Sequence, residues 1–149
     1  MRFLLWLFAF GLTIAVTVAA ELTPKDLVAQ LYEAHRSPHD PLRETKLLDR
    51  YFDAPLLKLY LRDQRESKGE VGRLDGDPLY NAQDVEISDF SISPSQTVKG
   101  ETQVTVRFKN FGKLTRIIYV FTHTKAGWRI SDIRYDEGWA LKKILQADR

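Results

Sequence analysis

The first half of the chain has apolar residues at helical spacing, with capping residues in front of each run. Thr23-Pro24-Lys25-Asp26 has the pattern of a capping box, and its proline stands at the first helical position, where a missing N–H costs nothing. A second helical stretch starts near Thr45, and a third follows Asp53, which has the residue type of an N-cap. The residues predicted to face the core from these segments are Leu27, Val28, Leu31, Tyr32, His35, Leu47, Leu48, Tyr51, Phe52, Leu56, Leu57, Tyr60 and Leu61.

From Asp84 onward the period changes to an alternation of apolar and polar residues, which is typical of strands. The alternation predicts four strands whose short connections favour antiparallel neighbours, at 84–93, 102–111, 114–124 and 128–135. The third strand is apolar on both faces from Ile117 to Phe121, so it should lie in the centre of the sheet. A short helix over 139–146 closes the chain, with Ala140, Leu141, Ile144 and Leu145 on its buried side.

Two of the predicted strands change their hydrophobic parity midway, near Ser88-Asp89 and near Ser131-Asp132. A β-bulge at each place would return the flanking apolar residues to one face of the sheet, namely Val85, Ile87, Phe90, Ile92, Trp128, Ile130, Ile133 and Tyr135. Bulges also bend a sheet. We therefore predict an α+β domain in which N-terminal helices pack on the concave face of a strongly curved four-stranded antiparallel sheet, with a short C-terminal helix.

The first 20 residues have the three regions of an export signal. Arg2 supplies the positive start, Phe3 to Val16 is uncharged, and Val18-Ala19-Ala20 offers the small residues that signal peptidase requires. This pattern predicts a signal peptide at 1–20 and a single domain at 21–149. The alternative is an uncleaved membrane anchor, but the second half of the run is weakly apolar and no basic cluster follows it.

Composition removes several classes of function. The chain has no cysteine, which excludes disulfides, thiol catalysis, thiolate metal sites and lipid attachment at a cysteine. Its 22 Lys and Arg residues nearly balance 20 Asp and Glu, and Arg2 belongs to the leader. This balance, with charges interspersed along the chain, gives no electrostatic case for nucleic acid or an anionic membrane surface. We expect membrane contact only through the leader, should it remain uncleaved.

The order of elements, helices first and then a bent antiparallel meander, is similar to the nuclear transport factor 2-like (cystatin-like) superfamily. Three segments resemble a family of bacterial exported proteins classed as domain of unknown function 3828: the helix ending near Tyr32, the loop DGDPLYNAQD at 75–84, and GWRISDI at 127–133 with its following helix. The loop is the most specific of the three. The resemblance implies a cone-like fold and the periplasm of a Gram-negative bacterium, but no activity, because superfamily members include enzymes as well as binding and immunity-type modules.

The loop at 75–84 concentrates the polar side chains of interest. Asp75, Asp77, Asn81, Gln83 and Asp84 offer the oxygen ligands of a calcium-like site. The alternative is that these side chains cap turns through Asx-type hydrogen bonds. We favour the turns, because the spacing departs from the twelve-residue EF-hand pattern.

The hollow of the predicted cone is a second candidate site. Six side chains could line it as a pocket or fill it as plain core: Tyr60, Tyr80, Tyr119, Trp128, Asp132 and Tyr135. A basic stripe of Arg107, Lys109, Arg116 and Arg134 would suit an acidic partner, although a solvated sheet face explains it as well. The three histidines form no recognised catalytic signature, and His35 has the position of a residue that satisfies a helix C-terminus.

These patterns favour a non-catalytic periplasmic module that binds a partner protein or a small molecule, such as an inhibitor or immunity-type protein. We expect no catalytic residue, cofactor or metal, and the candidate contact residues are Asp75, Asp77, Tyr80, Asn81, Gln83, Asp84, Trp128 and Asp132. The alternative is a small isomerase or hydrolase-like enzyme that uses a carboxylate in the cone. The enzyme would need an open pocket with Asp132 or Asp84 about 3 Å from a tyrosine hydroxyl, whereas the binding module would have a filled interior.

Overall fold

Three α-helices and a five-stranded antiparallel sheet make up the part of the chain that the computed structural model describes, residues 21–148. The helices are α1 (Pro24–His35), α2 (Ala54–Ser67) and α3 (Leu141–Gln146), with 3₁₀ helices at Thr45–Arg50 and Asp136–Gly138. The strands are β1 (Ile87–Ile92), β2 (Gln96–Val98), β3 (Glu101–Asn110), β4 (Lys113–Thr124) and β5 (Gly127–Tyr135). The predicted signal peptide lies outside the described residues.

The two long helices begin at the predicted caps. The Thr23 hydroxyl accepts the N–H of Asp26 at 3.2 Å while the Asp26 carboxylate accepts the N–H of Thr23 at 3.3 Å, so the capping box is present. At α2, the Asp53 carboxylate accepts the N–H of Leu56 at 2.8 Å. These bonds satisfy N–H groups that the first helical turn leaves without partners.

The other two predicted helices differ from the structure. The stretch from Thr45 is a 3₁₀ helix, and the closing helix begins at Leu141 rather than at residue 139. Residues 139 and 140 stay extended because they pair with the end of β5: the Trp139 carbonyl accepts the N–H of Tyr135 at 2.9 Å, and Ala140 bridges to Arg134.

The sheet has the order β1-β3-β4-β5, with β2 beside the other end of β3. The prediction of four strands was wrong, since a short strand, β2, occupies part of the predicted loop between β1 and β3. Pro94 has no N–H to pair, so it interrupts the edge of the sheet, and three residues are too few to show alternation. A two-residue turn then reverses the chain at Lys99 and Gly100, both at positive φ, as short hairpins require.

Both predicted bulges are present. In β1, Asp89 and Phe90 together oppose Phe108, and Asp89 has a φ of 52°. In β5, Ser131 is the extra residue between the pairs Phe121↔Ile130 and Val120↔Asp132. The bulge in β5 places Ile130, Ile133 and Tyr135 in the core, as expected.

At β1, the open edge of the sheet, two apolar residues that were predicted to face the core are exposed. Strand β1 begins at Ile87 rather than at residue 84, so Val85 precedes the paired region and is 47% exposed instead of buried. Phe90 reaches the rings of Tyr32 and Phe108 but stays 37% exposed, because β1 is the edge strand of the sheet that the described residues form. Apolar surface therefore lies exposed beside α1 and β1.

Apolar side chains fill the space between the helices and the sheet. Strand β4 is central as predicted, and Ile117 and Tyr119 are fully buried. Each fully buried Leu or Ile contributes about 1.5–3 kcal/mol relative to an exposed one, and the core includes Leu31, Leu48, Leu56, Ile130, Ile133 and Leu141. The predicted core residues Leu47, Leu57 and Leu61 are only partly buried.

A buried ion pair joins α2 to the chain that follows it. The Asp63 carboxylate is 2% exposed and accepts the backbone N–H and the guanidinium of Arg73 at 2.9 and 3.1 Å. The same guanidinium donates to the Ala147 carbonyl at 2.7 Å, so the pair also holds the end of α3. Arg73, in the segment between α2 and the 75–84 loop, is therefore bonded both to α2 and to the residue after α3.

We expect Gly72→Ala to lower the free energy of unfolding by about 1–3 kcal/mol, as overpacking of a filled site does. A Cβ at Gly72 would collide with the Asp63 carboxylate, which its bonds to Arg73 hold in place. Chemical denaturation is the measurement, with the exposed Glu70→Ala as control, expected within about 0.5 kcal/mol of the wild type. Equal midpoints for both variants would contradict this prediction.

Candidate functional site

The 75–84 loop separates two clefts. One, here named the Trp139 cleft, has a volume of about 600 Å³ and is lined by Arg73, Leu74, Asp75, Gly76, Asp77, Pro78, Asn81, Ala82, Gln83, Tyr135, Trp139 and Ile144. The other, the His35 cleft, has a volume of about 420 Å³ and is lined by His35, Arg36, Asp77, Tyr80, Val85, Ile87 and Phe90. Both volumes lie in the range of ligand pockets, and Asp77 belongs to both clefts.

Hydrogen bonds around Asp77 set the conformation of the loop. Its Oδ1 accepts the N–H of Leu79 at 2.8 Å, and its carbonyl accepts the N–H of Asn81 at 2.7 Å. Its own N–H donates to the Ala82 carbonyl at 2.8 Å, which closes the turn. A Cβ at Gly76 would lie 2.9 Å from the Ala82 backbone, so only glycine fits the closed turn without a shift.

This geometry is that of an Asx turn, the arrangement favoured over a calcium-like site. The Asp77 carboxylate is already occupied by the turn and by His35. Across residues 21–148, no group of three or more histidine, cysteine or acidic side chains has the arrangement to hold a metal ion.

Three tyrosine hydroxyls hold the loop against the core. The Tyr32 hydroxyl donates to the Leu79 carbonyl at 2.6 Å and accepts the hydroxyl of Tyr119 at 2.9 Å. The Tyr135 hydroxyl donates to the Pro78 carbonyl at 2.9 Å. Burial raises the pKa of all three phenols well above 10, so they remain protonated donors.

His35 lies between two carboxylates, an arrangement that sequence analysis did not predict. Its Nδ1 is 2.9 Å from Asp40 Oδ1, and its Nε2 is 2.6 Å from Asp77 Oδ2. Burial alone would lower the pKa of His35, but the hydrogen bonds and charges of Asp77 and Asp40 outweigh it and raise the pKa above 6.5. No local motif could have revealed this contact, because Asp77 is 42 residues away in sequence.

Of the two aspartates that the alternative enzyme would use, Asp132 has structural partners for its carboxylate. Asp132 Oδ1 accepts the N–H groups of Ile133 at 2.9 Å and Lys142 at 3.0 Å, so this carboxylate holds the start of α3 beside the bulge. Asp84 is exposed, and its carbonyl accepts from the Asn110 side chain. Within residues 21–148, neither aspartate forms a hydrogen bond with a tyrosine hydroxyl, and Tyr60 bonds to the Leu42 carbonyl instead.

Several polar side chains that line the Trp139 cleft form no hydrogen bond with the rest of the described fold. Asp75, Asn81 and Gln83 are exposed, and no hydrogen bond joins their side chains to another described residue. Trp139 is 54% exposed, with the Lys143 ammonium 5.7 Å from its ring centroid. The cleft therefore offers an aromatic surface, two amides and a carboxylate.

The remaining predicted contact residues lie elsewhere. Trp128 packs edge-on against His123, with ring centroids 4.7 Å apart, and lines a separate surface cleft with Glu21 and Leu22. Three members of the predicted basic stripe are paired with acidic side chains at 2.7–2.9 Å: Lys109 with Asp89, Arg116 with Asp136, and Arg134 with Glu101. These contacts neutralise most of the stripe. The eight predicted contact residues do not form one site, because Trp128 lines a separate cleft and the Asp132 carboxylate is bonded to the start of α3.

Comparison with known proteins yields no match: no family model, no curated protein and no solved structure matches the chain. The similarity to the exported family of domain of unknown function 3828 therefore stays a prediction. Among residues 21–148, no helix has both the length and the apolar character that a membrane span needs.

We expect Tyr32→Phe to lower the free energy of unfolding by about 1–3 kcal/mol, because it leaves the buried Leu79 carbonyl without its donor. Tyr119→Phe removes only a donor to Tyr32 and should cost less, about 0.5–1.5 kcal/mol. The matched control is Tyr51→Phe, since the Tyr51 hydroxyl bonds to no other described residue. Denaturation of the three variants tests the order, and a Tyr32→Phe variant as stable as Tyr51→Phe would refute it.

Proposed function

We propose that this protein is a non-catalytic periplasmic binding module that contacts a partner protein or a small ligand through the Trp139 cleft. One contrast supports the proposal. His35 and Asp77, which both line the His35 cleft, are bonded to the fold, whereas Asp75, Asn81, Gln83 and Trp139 remain exposed around a space of about 600 Å³. Aromatic residues with a few polar groups are the usual composition of binding surfaces.

The proposed periplasmic localisation rests on the export signal predicted at 1–20. The proposed relationship to known folds rests on the order of the elements. Helices come first, an antiparallel meander follows, and bulges occur in its first and last long strands. This arrangement supports assignment to the nuclear transport factor 2-like cones and to the family of domain of unknown function 3828. We take 21–149 as one such domain.

The alternative of a cone enzyme has less support. Its interior would need an open pocket, but buried apolar side chains occupy the space between helices and sheet. Both ring nitrogens of His35 contact carboxylates, so neither is free to take a proton from a substrate in this state. An inhibitor or immunity-type role needs only the exposed surface.

Capture from a periplasmic extract by the immobilised 21–149 domain tests the binding role. We expect a retained partner or ligand whose affinity falls about tenfold or more in Trp139→Ala, since a central tryptophan often dominates an interface. The control is Phe111→Ala, which removes a 61% exposed aromatic from the β3–β4 turn. A retained molecule that responds equally to both variants, or no retained molecule at all, would contradict the proposal.

We expect the exported protein to begin at Glu21, because signal peptidase cleaves after small residues such as Ala20. Intact-mass measurement of the protein from the periplasmic fraction locates this terminus. Ala20→Arg should block cleavage and leave the protein in the membrane fraction. A wild-type protein that keeps all of residues 1–20 would show that the leader is an anchor.

A further inference from the structure

His35 joins three segments at the base of the 75–84 loop. The ring lies at the end of α1, its Nδ1 faces Asp40 in the following turn, and its Nε2 faces Asp77 in the loop. The His35 side chain is 14% exposed, and those of Asp40 and Asp77 are 9% and 24% exposed. The contacts are therefore largely shielded from water, which makes their hydrogen bonding more consequential than that of a surface pair.

The two contacts require two N–H donors. A neutral imidazole has one N–H and one lone pair, whereas an imidazolium has two N–H groups. With both carboxylates ionised, only the imidazolium can donate to Asp40 and Asp77 at the same time. Loss of one proton would set a nitrogen lone pair against a carboxylate oxygen at 2.6 or 2.9 Å, so that contact must open.

We propose that His35 is a positioning residue for the 75–84 loop. Its protonation sets the conformation of this loop and the affinity of the Trp139 cleft for its ligand. The affinity part rests on the proposed function, whereas the conformational part does not. Asp77 transmits the change, because its Oδ1 and carbonyl accept the N–H groups of Leu79 and Asn81.

The other side chains around the His35 ring do not supply the second N–H donor that Asp40 and Asp77 require. Arg36 lines the same cleft, and Tyr80 has its ring centroid 5.7 Å from that of His35. Burial raises the pKa of Tyr80, so that phenol stays neutral near pH 7. Asp40 also accepts the Leu42 N–H at 2.9 Å and lies 3.5 Å from Arg43. From β1, the cleft receives only apolar side chains, and the preceding Val85 is apolar too.

The pH range follows from the folded and unfolded pKa values of His35. The unfolded value is near 6.5 and the folded value is higher, so the imidazolium stabilises the fold fully below about pH 6.5. This contribution declines as the pH rises through the folded value. The closed conformation of the 75–84 loop should therefore be most stable below about pH 6.5.

Nuclear magnetic resonance titration of the 21–149 domain tests the inference. We expect two ring N–H signals from His35 at pH 5.5, a titration midpoint above pH 6.5, and shifts of the Leu79 and Asn81 amides with that same midpoint. Asp77→Asn should abolish this coupling, because an amide can donate to the neutral ring. His39→Gln is the control, since the exposed His39 contacts Glu44 and should not influence the loop.

His35→Lys gives a second test, because its ammonium keeps a positive charge and several donors across this pH range. We expect it to restrain the loop amides without a transition between pH 5.5 and 8.5. A His35→Phe variant that shows the wild-type amide titration, or a wild-type ring with one N–H at pH 5.5, would overturn the inference.

Affinity measurements then separate this inference from the proposed function. A ligand that depends on Trp139 should bind the wild type several-fold more weakly at pH 8.5 than at pH 5.5, and this ratio should approach one in Asp77→Asn. Binding through Trp139 with no such pH dependence would refute the regulatory part alone. No Trp139-dependent ligand at either pH would refute the proposed function, while the amide titration would still decide the role of His35 in the loop.

Discussion

The need to satisfy buried polar groups determines how the 75–84 loop sits on the domain. The carbonyls of Pro78 and Leu79 point into an apolar core, where an unpaired carbonyl costs about 1–3 kcal/mol. Tyr135 and Tyr32 supply their donors, and Tyr119 donates to Tyr32 in turn. The loop backbone is thereby attached directly to α1 and β5, and to β4 through Tyr32. Tyr119 and Tyr135, which the sequence offered as a pocket lining, instead support the loop through these bonds.

The sequence predicts those parts of the fold in which hydrophobic parity is informative. Both bulges follow from parity changes, and the central position of β4 follows from its two apolar faces. The signal fails where a segment is short or lies at an edge. Strand β2 has three residues after a proline, and Val85 precedes the first paired residue, so neither burial nor pairing could be deduced from alternation.

The candidate site could be predicted only in its local part. The concentration of polar residues in the loop indicated its turn geometry, which Asp77 provides through bonds to residues two to five positions away. The partner of Asp77 across the fold, His35, could not be deduced, because the contact depends on how α1 packs against the loop. The bulge near Asp132 was predicted, but the bond from the Lys142 N–H to the Asp132 carboxylate, which orients α3 and hence the wall beside Trp139, was not.

Charge pairing on the sheet bears on how a partner would be recognised. Lys109, Arg116 and Arg134 each contact a carboxylate on a neighbouring segment, so this face presents alternating rather than uniform charge. Exposed pairs of this kind add little stability but weaken the long-range field. A partner of the proposed site would therefore gain little from electrostatic steering, and its specificity would come from contacts at short range. Exposed amides on a loop whose backbone is bonded to the core, with an exposed indole beside them, are suited to that kind of recognition, because the backbone has little freedom to lose on binding.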